Sequence, residues 1–131
     1  MSTTQLRIVG IGILFVLIFA FGYLMSRSGK PYNTALITVH KLASLGAIAL
    51  LILTIVSINH LSPLGAAHVA AIAVTGICFL ITLATGGLLS AINDLPQFVS
   101  GLHQVIPYVT LLSTAGMLYL LFIRSGELIG I

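Results

Sequence analysis

The chain has 131 residues, 59% of them hydrophobic and only 5% charged, and its mean hydropathy is +1.22. A soluble domain carries about 25% charged residues, and a chain this short leaves much of its folded surface exposed. The composition therefore excludes an ordinary water-soluble globular domain and points to lipid as the solvent. The formal net charge of +3, from five Lys and Arg against two Asp and Glu, is too sparse for a nucleic-acid surface; it is topology information.

A bilayer core needs about 20 mostly apolar residues per helix, and four stretches qualify. The first covers roughly residues 6–25. Arg7 ahead of an apolar run resembles the start of a signal peptide, but the run is longer than an h-region and no small-x-small site follows, so a retained membrane helix is expected. Arg27 to Asn33 form the first turn. The second span, 35–58, carries His40 and Lys41 side by side near its start. Asn59 to Pro63 separate it from the third, 64–91; Ser62 is the expected N-cap and Pro63 the first helical residue. The single Cys78 falls inside this span and can make no internal disulfide. Asn93 to Pro96 precede the fourth span, 97–123.

The runs are too long for strands and lack period-2 alternation. Short loops predict antiparallel neighbours. The expected fold is all-α: an integral membrane antiparallel four-helix bundle, one transmembrane domain over 1–131, multi-pass in the cell membrane. Arg27, Lys30 and Lys41 fall on one side and Arg7 and Arg124 on the other. This balance favours cytoplasmic first and third loops with both termini outside.

The two halves can be superposed as two similar helical hairpins. Gly22, Pro31 and His40 match Gly87, Pro96 and His103, with equal Gly-to-Pro spacing and a Pro-to-His spacing that differs by two residues. The repeat places His40 and His103 at one depth, on helices two and four, each about 9–10 Å beyond its helix start. Intramembrane ionisable residues face the bundle interior and have partners. Two readings follow. In one, the histidines only hydrogen-bond between helices, to Ser, Thr or a carbonyl. In the other, they ligate a haem iron axially, which needs two neutral imidazoles and a flat slot. Ala43, Ser44 and Ala47 share the His40 face and are small; Ser100, Pro107, Thr110 and Thr114 share that of His103. Lys41, Arg27 and Lys30 lie towards the same side and are candidates for the propionates, although a lysine there also snorkels to headgroups. Zinc or copper would want four N, S or O ligands, and no carboxylate or thiol lies at matching depth.

His60 and His68 fall at the opposite side and are the candidate pair for a second haem; His68 is also a candidate quinone contact. No nucleophilic triad, metalloprotease motif, phosphate loop or Cys pair is present. Asp94 and Glu127 are the only carboxylates, and both are in or near loops. The missing carboxylate relay disfavours a proton-coupled transporter.

The stretches PYNTALITVHKLASLGAIALLILTI, ATGGLL and LHQVIPYVTLLSTAGMLYLL together cover much of the chain. They resemble a recurrent family of small prokaryotic four-span membrane proteins akin to transmembrane b-type cytochromes. Larger di-haem families show four-histidine symmetry, from which His60 and His68 depart. The expectation is a b-type cytochrome-like electron-transfer protein. One haem b is held between helices two and four by His40 and His103, with Lys41, Ser44, Ala47, Arg27 and Lys30 around it. The expected partners are the lipid bilayer, a quinone or redox protein, and a second copy in a homo-oligomer; nucleic acid is not expected. The alternative is a non-catalytic membrane subunit or scaffold whose histidines stitch helices together.

Overall fold

The computed structural model describes the backbone of residues 2–129 and the side chains of residues 2–123. It contains four helices, α1 (Thr3–Ser28), α2 (Thr34–Leu61), α3 (Ala66–Ala91) and α4 (Gln97–Ile129), and no strand among the described residues. All four are long and apolar enough to cross a membrane. The chain divides into two compact units, Met1–Ser62 and Pro63–Ile131, each one helical hairpin. The side chains of Arg124 and Glu127 lie outside the described residues.

Caps carry the helices beyond their apolar runs. At α1 the Ser2 hydroxyl accepts from the Gln5 N–H (3.2 Å), while the Ser2 N–H donates to Gln5 Oε1 (2.9 Å). This reciprocal pair satisfies two otherwise orphaned donors and starts the helix three residues ahead of the expected span. At the other end Gly29 adopts φ 69 and ψ −177, a region essentially confined to glycine, and its N–H closes on the Met25 carbonyl (3.0 Å). Asn33 then caps α2, its Oδ1 accepting from the N–H groups of Ala35 (2.9 Å) and Leu36 (3.3 Å).

One boundary differs from expectation. Ser62 does not cap α3; it ends α2, its N–H donating to the Ile58 carbonyl (3.1 Å), and α3 starts at Ala66 behind Gly65. The residue before proline is pushed to extended backbone, and Ser62 has φ −159 and ψ 131. That conformation suits the end of one helix as well as the start of the next. Reversing direction consumes Pro63 and Leu64 before Gly65 can begin α3.

In the first hairpin the seam is tight and mostly apolar. Ile18 on α1 packs with Ala43 and Ala47 on α2, and Leu14 closes against them; Ala47 is 0% exposed. Leu14 also lies over Gly46, and Leu50 over Gly10, which fixes an antiparallel register. Small residues let the two backbones approach closely, the usual basis of helix pairing where lipid removes the hydrophobic drive.

The second hairpin is joined through hydroxyls. Thr75 bonds Ser113 (2.7 Å), Thr82 bonds Thr110 (3.0 Å), and Thr85 bonds His103 (2.9 Å). Thr75, Thr85, Thr110 and Thr114 are buried. Such bonds are directional, so these three chiefly set the register. Large apolar side chains are exposed in both hairpins: Val16, Leu42, Leu80, Phe98 and Leu112 are 62–73% exposed.

Ala47→Leu inserts three carbons where none of the surface is free. It is expected to lower the stability of the purified chain by about 1–3 kcal/mol in denaturant titration, whereas Leu42→Ala on the outward face should change it little.

Candidate functional site

Each hairpin docks one histidine of its second helix onto a glycine of its first. His40 is the sixth residue after Thr34, and His103 the sixth after Gln97, about 9 Å along each helix. The two-residue difference in Pro-to-His spacing is absorbed before the helix: Pro31 precedes Thr34 by three residues and Pro96 precedes Gln97 by one. The helical positions of the two histidines are therefore equivalent.

The His40 ring crosses the seam to α1, where Nδ1 lies 3.0 Å from the Ile18 carbonyl oxygen. That carbonyl is the helical acceptor for Gly22, and the missing side chain at Gly22 opens the approach. A Cβ placed there would stand 3.2 Å from His40 Cε1. The His40 carbonyl in turn accepts from the Ser44 hydroxyl (2.8 Å). In the second hairpin, His103 Nδ1 lies 2.9 Å from Thr85 Oγ1, and a Cβ on Gly86 would stand 2.8 Å from Cε1. The glycine under His103 is thus Gly86 and not Gly87, beside which a Cβ would meet nothing within 4 Å.

The partner of His40 assigns its tautomer. A carbonyl oxygen only accepts, so His40 Nδ1 carries the proton. The Thr85 hydroxyl also lies 2.8 Å and 3.1 Å from the carbonyls of Ile81 and Thr82, and either it or the His103 ring can be the donor between them. Metal-ligating histidines commonly hold one ring nitrogen on a carbonyl or other partner while the second meets the metal.

The remaining expected residues are placed as follows. Ala47 is buried against Ile18 and Ser44 is half-buried. Lys41, Arg27 and Lys30 are exposed at the same end of the first hairpin as His40. Arg27 Nη1 donates to the Tyr23 hydroxyl (3.4 Å), and Lys30 Nζ lies 5.8 Å from the Tyr32 ring centroid. His60 is exposed in the last turn of α2. His68 is in the first turn of α3 with its Nδ1 buried and no hydrogen bond to it. No group of three or more His, Cys, Asp or Glu able to hold a metal ion occurs among the described residues. Pro107 lies within the continuous α4, where it has no N–H for the His103 carbonyl one turn earlier.

Sequence reading missed Thr85 and Ile18. Thr85 had a signal, a hydroxyl directly before the Gly86-Gly87 pair; the backbone carbonyl of Ile18 had none. Compared with known protein families, curated proteins and solved structures, the chain matches none.

Two outcomes check this geometry. Gly86→Ala is expected to displace the His103 ring and lower stability by about 1–3 kcal/mol in denaturant titration, with a smaller loss for Gly22→Ala, whose contact is looser. Selective 15N labelling of histidine should show His40 as the Nδ1–H tautomer, and the His103 signal should move in Thr85→Val.

Proposed function

We propose that the chain is a multi-pass protein of the cell membrane, an antiparallel helix bundle that binds haem b through His40 and His103 and transfers single electrons. The observation that carries this reading is the shared placement of the two rings. Each histidine stands at the same position of its helix, with Nδ1 within 3.0 Å of an oxygen of its own hairpin. Two imidazoles without a carboxylate are a donor set that would fit a b-type haem.

Lipid embedding is supported by four helices of spanning length and by the apolar side chains on their outward faces. His40 and His103 would hold the haem, which would supply a one-electron iron couple. The residues of the chain do the rest. The Ile18 carbonyl and the Thr85 hydroxyl hold the rings in orientation. Lys41, Arg27 and Lys30 put positive charge near the same end and suit the two propionates. The apolar helices exclude water and hold the local dielectric low, which with nearby charge sets a potential. A membrane quinone or a second redox protein completes the circuit.

The same hydrogen bonds favour a second reading, a non-catalytic membrane subunit or scaffold. There the His40 and His103 bonds are complete in themselves, as stitches across each hairpin.

The test is the spectrum of protein purified from haem-supplied cells. The haem reading expects a sharp low-spin Soret band and, on reduction, an α-band, both lost in His40→Ala and in His103→Ala. A colourless, well-folded protein would sink it and leave the scaffold. Bands that survive His103→Ala but not His40→Ala would overturn the pairing.

A further inference from the structure

The first hairpin contains four cations, Arg7, Arg27, Lys30 and Lys41, and no carboxylate anywhere in residues 1–62. Three of the four are exposed at one end. Arg7 is different. It is half-buried near the other end, where its Nη1 donates across the seam to the Leu53 carbonyl (3.1 Å) and to Ser57 Oγ (2.6 Å). The Ser57 hydroxyl gives its own hydrogen to the same Leu53 carbonyl (2.8 Å), so it accepts from Arg7. Both acceptors are neutral. They fix the guanidinium in place but are not themselves the negative charge that would balance it in a low-dielectric setting. Arginine presents five donors in a planar fork, and both of these contacts use one nitrogen of it.

We propose that Arg7, positioned by Ser57 and the Leu53 carbonyl, is a binding site for a phosphate group, supplied by an anionic lipid headgroup. The inference rests on the membrane embedding proposed above and not on haem. The fork matches a phosphate bidentately, a geometry that the point charge of lysine does not reproduce. Depth agrees. The 26 residues of α1 span about 39 Å against a hydrocarbon core of about 30 Å, so each end overhangs the core by about 4–5 Å. Arg7 lies four residues after Thr3, about 6 Å along the axis, just inside the boundary and within a side chain's reach of the phosphate layer. The opposite anchor, Ser57, is likewise four residues from the end of α2 at Leu61.

The experiment uses the full chain in nanodiscs of phosphatidylcholine mixed with phosphatidylglycerol, with retained lipids counted by native mass spectrometry after transfer to detergent. The wild type should retain phosphatidylglycerol over phosphatidylcholine by about tenfold, the discrimination expected of hydrogen bonds to a charged group. Arg7→Gln should abolish that preference, and Arg7→Lys should keep only part of it. Equal retention of both lipids by the wild type would overturn the proposal without recourse to any variant. So would a loss in Arg27→Gln as large as that in Arg7→Gln, which would mark diffuse charge instead of a site. Inorganic phosphate, titrated against thermal unfolding in detergent, separates the sources. Stabilisation of the wild type but not Arg7→Gln, in a protein without lipid preference, would overturn the lipid source and leave a soluble phosphate. The haem spectrum of the same samples keeps failure of this site distinct from failure of the functional reading.

Discussion

The structure depends on one contact made twice: an imidazole that crosses a helix seam, rests on a glycine and brings Nδ1 to an oxygen of the other helix. Each hairpin is otherwise a pair of apolar helices, and apolar surfaces in lipid have little reason to prefer one rotation over another. The ring supplies a directional constraint. At His40 that oxygen belongs to the Ile18 backbone carbonyl, and at His103 to the Thr85 side chain. Gly22 and Gly86 are the space that allows either bond, since a methyl group would stand 3.2 Å and 2.8 Å from the respective Cε1 atoms. The bond and the helix rotation are therefore one feature.

The two hairpins reach that common feature by different packing. The first relies on small apolar side chains, with Ile18 and Leu14 closing on Ala43 and Ala47. The second relies on hydroxyls, with Thr75 to Ser113 and Thr82 to Thr110 continuing the line that ends at Thr85 and His103. Threonine satisfies its own helix by donating to the carbonyl one turn back, as Thr82 does to Cys78 and Thr110 to Ile106, and can still meet a partner across the seam. Burying Thr110 and Thr114 almost completely is tolerable for that reason. A polar seam is also position-specific, because sliding it by a turn would part every pair. The apolar seam of the first hairpin sets its register by shape, Leu14 over Gly46 and Leu50 over Gly10, and the His40 and Arg7 bonds at its two ends add direction.

Much of this was legible in the sequence. Four apolar runs separated by Gly, Pro, Asn and Ser turns give four helices and their antiparallel order. The depth of His40 and His103 was legible too, since counting from a turn needs no tertiary information. Their contacts were not. All four helices are apolar around most of their circumference, so no amphipathic stripe marks which face meets the neighbour. For the same reason the tandem Gly86-Gly87 could not be resolved into one glycine that carries a ring and one that does not. The Ser2 to Gln5 capping box was readable, but the long apolar run drew the boundary to residue 6 instead. The Ser62 boundary failed because proline dictates an extended predecessor without dictating which helix that predecessor serves.

Charge completes the reasoning, because in a chain with so few ionisable groups each position is informative. Arg27, Lys30 and Lys41 gather at the end of the first hairpin where His40 lies, and their exposure lets water or headgroups screen them. Arg7 stands alone at the far end, partly buried and tied to a carbonyl and a hydroxyl of α2. A residue that only reported topology would need no such fixing; a lysine free to snorkel would serve. Holding a planar fork in one orientation costs side-chain entropy, and the bonds to the Leu53 carbonyl and to Ser57 offset part of that cost. The Leu53 carbonyl and Ser57 thus act towards Arg7 as Ile18 and Thr85 act towards the histidines, fixing a polar side chain by a bond across the seam.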